Sequence, residues 1–419
     1  MRTLLRRIRA LRGDAGIGMT ELVVALMVFS LIAIGLAYSL FSMTRITDES
    51  TKRETAAHLA AQEIDRIQSL PDAFSVHSDS NDIAVDGVTY TVETSVGWVS
   101  TTGASGACGS GGGNLQYKRV NVSVDWPGMY FPNPVRADSA LAPDSRINDP
   151  AYGTVLVSVL GIDGTGRDGV TVRVTPESGG GGQTITDTID PTDVDGCTYV
   201  LQVAPGKYKI EIERSNYIDS NQVAVPSYTQ QVVAAGTTTT ASFQYDNAGT
   251  FTLDYAATSA TNPDLPSNLE TTFLGGLSNY VRTSTASPLK LHPFASGYQA
   301  LAGDPSSCLN VDPANWDINS TLQDGLRPTS VAADPGSSAT LNIPMGVYSV
   351  VIPNDDTKRY ITAVQQTGSG GGNPGCATTK TYSYSTRYAK TATVNLALPY
   401  GTWKIYTGNT AGADRKSVV

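Results

Sequence analysis

The chain has 419 residues, enough to bury more than one core, and 40% of them are hydrophobic, too many for wholesale disorder. Only 16% are charged and the formal net charge is −9. That balance excludes a polyanion held by non-specific electrostatics, so no nucleic-acid partner is expected. Four cysteines are too few for a disulfide scaffold, while 41 glycines and 20 tyrosines point to short strands and turns.

The first stretch of chain differs from the rest. Residues 1–16 carry Arg2, Arg6, Arg7, Arg9 and Arg12 against a single acid, Asp14, so the remaining body is more acidic than the average. From Leu22 to Thr44 no side chain is charged. About 20 apolar residues at ~1.5 Å each cover the hydrocarbon core of a bilayer. Arginines just before such a run place the amino terminus in the cytoplasm and residues after Arg45 on the far side. A secretory signal peptide would need a shorter apolar stretch of about 7–15 residues and a small-residue cleavage site after it. Here the run is longer and continues into helical sequence. A plain membrane anchor leaves Glu21 unexplained, the only formal charge between Asp14 and Arg45. A carboxylate there is costly unless it reaches the interface or finds a partner.

Gly16-Ile17-Gly18-Met19-Thr20-Glu21-Leu22-Val23-Val24-Ala25-Leu26 resembles the processing site of type IV prepilins and type II secretion pseudopilins. The resemblance covers residues 1 to about 130. It implies that a prepilin peptidase cuts after Gly16 and methylates Ile17, which leaves Glu21 as the fifth mature residue. Departures are Ile17 where phenylalanine is commonest, Gly18 at the second position, and a long leader. In the membrane, the α-amine of a neighbouring mature subunit would neutralise Glu21 and set the register of assembly. An unpartnered Glu21 reaching for the interface is the simpler alternative.

Beyond the membrane the helix is expected to run to Ser69, before Pro71, over residues 20–69 in all. Ile46, the stem of Arg53, Ala57, Ala60, Ile64 and Ile67 follow helical spacing, an amphipathic face that needs a sheet to cover it. That sheet is expected over 83–126: a hairpin turning at Asp86-Gly87, then alternating Val120, Val122, Val124 and Trp126. A helix with a small antiparallel sheet is what the pilin resemblance implies, over residues 17–130. His58 and His77 lack a second ligand at useful spacing and read as surface residues.

Residues 131–150 read as a linker, rich in proline and without periodicity. Over 151–247, short strands at turn-punctuated spacing argue for an antiparallel sandwich. The piece from Asp195-Gly196-Cys197 through Pro205-Gly206-Lys207-Tyr208-Lys209-Ile210 resembles the carboxypeptidase regulatory-like, or transthyretin-like, domain. Its turn-and-strand pattern recurs at Met345-Gly346-Val347-Tyr348 and Tyr400-Gly401-Thr402-Trp403, in a second β-rich module over 248–410 with an insertion around 265–335. Residues 411–419 form a tail. The expected fold class is thus α+β: a long amino-terminal helix with a small sheet, then two mainly-β modules.

Cys308 and Cys376 share one module and are the favoured disulfide; Cys108 and Cys197 fall in different modules and either could be free. No nucleophile elbow, Walker loop, H-E-x-x-H or C-x-x-C occurs, so no enzyme and no cofactor are expected. Asp187, Asp190, Asp193 and Asp195 form an acidic turn of the kind calcium uses, but without EF-hand spacing or a closing glutamate. A solvated turn is the simpler reading.

The sequence therefore reads as a minor pilin, with prepilin peptidase, other pilins or pseudopilins, the cytoplasmic membrane and host or surface ligands as partners. The large exported head would serve adhesion or tip priming. A type II secretion pseudopilin and a singly anchored, unpolymerised adhesin are the alternatives.

Overall fold

The computed structural model describes residues 18–70, 73–108, 113–142, 147, 149–256, 262–316, 327–357, 359–368, 372–412 and 417–418. One long helix is followed by many strands, the α+β arrangement expected. The chain divides into two compact units, Met1–Val96 with Lys118–Ala142 and Gly97–Tyr117 with Pro143–Val419.

Helix α1 (Met19–Gln68) is followed by β1 (Asp79–Val85), β2 (Val88–Ser100), β3 (Ser105–Gly106), β4 (Leu115–Asp125) and β5 (Val135–Leu141). The sheet order is β1-β2-β4-β5, with β3 added to β2. Asp86 (φ 50°) and Gly87 (φ 79°) both take the left-handed conformation that a type I′ turn requires. Alternation then directs Tyr90, Val92 and Val96 of β2 and Val120, Val122 and Val124 of β4 into one core with Ala56, Ala60 and Ile67 of α1. Small alanines let the helix lie close to the sheet.

Two expectations need correction here. Ala56, not Ala57, is the buried residue, because the contact face steps from 53 to 56 to 60 rather than by fours. Residues 131–150 are not simply a linker, since Val135–Leu141 pairs antiparallel with β4 along its whole length. Val135, Ala137 and Leu141 pack on the helix-covered core, an alternation that the surrounding prolines and charges obscured.

The second unit contains β6 (Gly153–Leu160), β7 (Thr171–Pro176), β8 (Cys197–Val203), β9 (Gly206–Glu213), β10 (Tyr217–Asp219), β11 (Ser227–Val233) and β12 (Thr238–Asn247). They form two sheets, β10-β12-β6-β8 and β11-β9-β7. Val155, Val157, Val159, Val172, Ile210, Ile212 and Phe243 fill the space between them. The sandwich is not wholly antiparallel: β6 and β12 run parallel, which the long stretch of chain between them allows. Gly206 begins β9 where a Cβ would lie 2.3 Å from the Gly182 backbone nitrogen, so the glycine tract and the Pro205-Gly206 turn fit only as a pair.

Ala248 alone separates β12 from β13 (Gly249–Tyr255). Then come β14 (Thr271–Leu274), β15 (Tyr280–Arg282), β16 (Leu289–Leu291), β17 (Gln299–Ala302), β18 (Ser338–Ile343), β19 (Gly346–Val351), β20 (Tyr360–Gln365), β21 (Thr381–Ser383), β22 (Thr393–Leu398), β23 (Trp403–Gly408) and β24 (Ser417–Val418). Four small sheets enclose one core. The described residues of 265–335 are no insertion: Leu269, Phe273, Leu291, Phe294, Tyr298 and Ala300 belong to that core. Met345-Gly346 and Tyr400-Gly401 lead into β19 and β23, as Pro205 leads into β9, and Tyr208, Tyr348 and Trp403 all pack inward.

Disulfides join Cys308 to Cys376 and Cys108 to Cys197. The second pair departs from the expectation of separate modules, because residues 97–117 group with the second unit. There the Trp98 indole N–H donates to the Tyr199 hydroxyl at 2.8 Å, and the Asn114 amide donates to the Gly236 carbonyl at 2.7 Å.

Candidate functional site

Gly18 precedes the first turn of α1 in an extended conformation, and its carbonyl accepts the N–H groups of Glu21 and Leu22 at 2.9 and 3.1 Å. Glu21 is the acidic residue of that first turn, where the helix dipole favours a negative charge. From there the helix is long and apolar enough to cross a membrane, and none of its most apolar stretch is covered by protein. Leu22, Phe29, Leu31, Leu40 and Met43 are all exposed. Two hydroxyls along it bond back into the helix: Ser30 to the Leu26 carbonyl at 2.7 Å and Thr44 to that of Phe41 at 2.9 Å. Such bonds let a hydroxyl sit in an apolar medium without a solvent partner. The Arg45 guanidinium lies 4.5 Å from the Phe41 ring centroid, where charge first returns to the sequence.

One turn later the helix acquires a fastening that the sequence reading missed. Glu49, only 4% exposed, accepts from Arg53 Nε at 3.1 Å and from the Tyr130 backbone N–H at 3.2 Å. Arg53 donates in turn to the carbonyls of Phe131 and Asn133, at 3.3 and 3.0 Å, and its guanidinium faces the rings of Phe131 and Trp126. The loop after β4 is thereby tied to the helix. The glutamate–arginine spacing of four was visible, and the stem of Arg53 was placed on the buried face. Its partners are backbone groups, which no side-chain pattern announces.

Farther along, Lys52 bonds to Asp48 at 2.7 Å, a hydrogen bond that raises the ammonium above its ordinary value. Arg66 is raised likewise by its bonds to Glu63. These are exposed pairs of small energetic weight. His58 is exposed on the helix, and His77 follows the short 3-10 turn Ala73–Ser75.

The expected leader arginines Arg6, Arg7, Arg9 and Arg12, and the cleavage pair Gly16 and Ile17, lie outside the described residues. The acidic turn is held by local bonds. Asp193 uses its carboxylate to cap the Cys197 N–H at 2.8 Å, Asp190 offers its carbonyl to Thr198, and Asp195 offers its carbonyl beside the Cys108 and Cys197 sulfurs. Among the described residues no three His, Cys, Asp or Glu side chains gather as metal ligands.

No family model matches the chain, and no curated protein does. Solved structures with some likeness include the Bacillus anthracis TIE protein, at 11% identity over 81% of this chain and 70% of that one, with a TM-score of 0.20. A streptococcal ancillary pilin matches at 12% identity over 54% of this chain and 75% of its own, with a TM-score of 0.19. The major pilin subunit of Bacillus cereus matches at 9% identity over 64% of this chain and 91% of its own, also at 0.19. Two of these three are named as pilins, but scores near 0.2 fall below a shared arrangement of the whole chain and do not bear on function.

Proposed function

We propose that the chain is a minor pilin-like structural subunit, assembled through α1 into a type IV pilus-type filament. A prepilin peptidase cuts between Gly16 and Ile17 and methylates Ile17, and Glu21 pairs with the α-amine of a neighbouring subunit. The observation that carries this reading is the division of one continuous helix. Its first part is apolar, uncovered by protein and headed by a lone carboxylate, while its second part is built into a sheet. Before processing the chain spans the cytoplasmic membrane once with its amino terminus inside. Afterwards the carboxypeptidase regulatory-like sandwich of 151–247 and the module of 248–410 stand outward for adhesion or tip priming, without catalysis. A head of this size suits a minor position better than the repeating subunit of a thin fibre.

Mass spectrometry of the mature amino terminus tests the processing step. N-methylated Ile17 is expected, and an intact Met1 leader would reject assembly in favour of a simple anchor. Glu21→Ala is expected to block incorporation into sheared filaments while leaving membrane insertion intact. Normal loading of that variant would count against the pairing.

A further inference from the structure

His292 is fully buried, directly after β16, where the sandwich of β6–β12 meets the core of β13–β24. A carbonyl can only accept, so the Ile218 carbonyl, 3.1 Å away, assigns the imidazole proton to Nδ1. Nε2 is then bare, buried and without a hydrogen-bond partner. The same residue closes a ring of polar bonds. Gln222 accepts the His292 backbone N–H at 2.8 Å and donates its amide to the Tyr298 hydroxyl at 2.8 Å. Tyr298 completes the ring by donating to the His292 carbonyl at 2.7 Å. Gln222 is aimed by a tight turn in which Asp219 accepts the N–H groups of Asn221 and Val223, and it holds a left-handed φ of 66° itself. Phe294 stands edge-on to the imidazole at 4.6 Å.

We propose that His292, Gln222 and Tyr298 form an acid-released clasp, which locks the two β modules together at neutral pH and lets them part when the imidazole takes a second proton. The added proton would go to Nε2, the nitrogen with no acceptor, and would place a charge in a buried site. The charged groups around it are Asp219 on β10, Asp246 on β12 with its partner Arg167, and Lys290 on β16. Both carboxylates favour the imidazolium, as does the Ile218 carbonyl. Yet Asp219 is engaged by the turn, and Asp246 by Arg167 and the N–H groups of Ile162 and Asn247. Burial is the largest influence and holds the imidazole below its ordinary 6.5. A histidine depressed by folding stabilises fully above the unfolded value, and that contribution is lost as pH falls below 6.5. Around the clasp the junction has little slack. One residue connects the modules, Ala248 N–H bonds to the Asn216 carbonyl at 2.8 Å, and Lys290 bonds to the Asn216 side chain at 2.6 Å.

The test is hydrogen exchange on the full chain in detergent at pH 7.5 and 5.0, corrected for the intrinsic rate. Peptides covering 217–223 and 289–300 are expected to exchange severalfold faster at the lower pH. β6 and β20 are expected to stay protected. His292→Gln, whose amide reaches toward the same carbonyl but does not titrate, is expected to abolish the response. No acceleration in the wild type, an acceleration shared equally by β6 and β20, or a response retained in His292→Gln would each overturn the clasp. Should the variant fold poorly, imidazole NMR on the wild-type chain decides. His292 is expected to protonate below 6.5, and protonation at or above that value would overturn it.

Discussion

Between Met19 and Thr44 helix α1 exposes Leu22, Phe29, Leu31 and Leu40, whereas between Glu49 and Ile67 it buries Glu49, Ala56, Ala60 and Ile67. The half with the larger side chains is thus the half without protein cover. The backbone ladder is continuous through both, so helix formation does not separate them; the surrounding medium does. In the first half, apolar bulk faces outward in every direction, as a bilayer or a filament core would require. In the second, small residues bring the helix down on a sheet, and Glu49, Lys52, Arg53 and Arg66 are held by named partners. A single helix can be continuous in geometry while its two ends are designed for two solvents.

The largest expected effect comes from breaking the covered half. Ala60→Arg forces a long cation into a filled helix–sheet contact and should destabilise the first unit by about 3 kcal/mol, measured by thermal unfolding in detergent. Leu31→Ala, in the uncovered half, should change that unfolding by less than about 0.5 kcal/mol while weakening partition into vesicles. Equal effects at the two positions would dissolve the distinction. Next, Arg53→Ala leaves Glu49 buried with one backbone donor and should cost about 2 kcal/mol. The double variant with Glu49→Ala should cost less than the sum of the two single changes, because the uncompensated charge is gone.

A pH series sharpens the comparison with the second unit. Burial alone would raise the Asp246 carboxyl, but the paired bonds from Arg167, with the N–H groups of Ile162 and Asn247, hold it below its ordinary 3.8. A depressed carboxylate stabilises above its unfolded value, so wild type should exceed Asp246→Asn by about 1–2 kcal/mol at pH 7. The gap should close as pH falls below 3.8 through the folded value. Thermal midpoints of both chains from pH 7 to pH 2 check this. The smallest effect is at the hairpin: Asp86→Val puts a β-branched residue at φ 50° and should cost about 1 kcal/mol by chemical denaturation.

Much of the first unit was legible in the sequence. The helix ends within a residue of the expected bound, and the Asp86-Gly87 turn and the alternating valines of β4 arise from local sterics and a period of two. What escaped was set by distant backbone. Val135–Leu141 alternates polar and apolar residues without looking like a strand, because its apolar positions are small and its flanks hold prolines. Cys108 and Cys197 are 89 residues apart, and nothing near either reveals that residues 97–117 lie within the second unit. The segment 265–335 reads as irregular because its strands are three or four residues long, too short for any period to register. Of the candidate site, Glu21 and the apolar run were evident, whereas the Glu49–Arg53 fastening depends on carbonyls of a loop some 80 residues away.

The amino-acid sequence alone determined the long helix, its apolar first half, the lone carboxylate at its start and the β-rich character of the chain beyond it. These arise from composition and from periods of 3.6 and 2 that act between near neighbours. Tertiary structure decided which alanine faces the sheet, which cysteines meet, and that His292 is enclosed between two modules with one nitrogen left bare. Those outcomes depend on surfaces brought together from far along the chain, where burial and the supply of backbone partners are decided by the whole packing rather than by any local pattern.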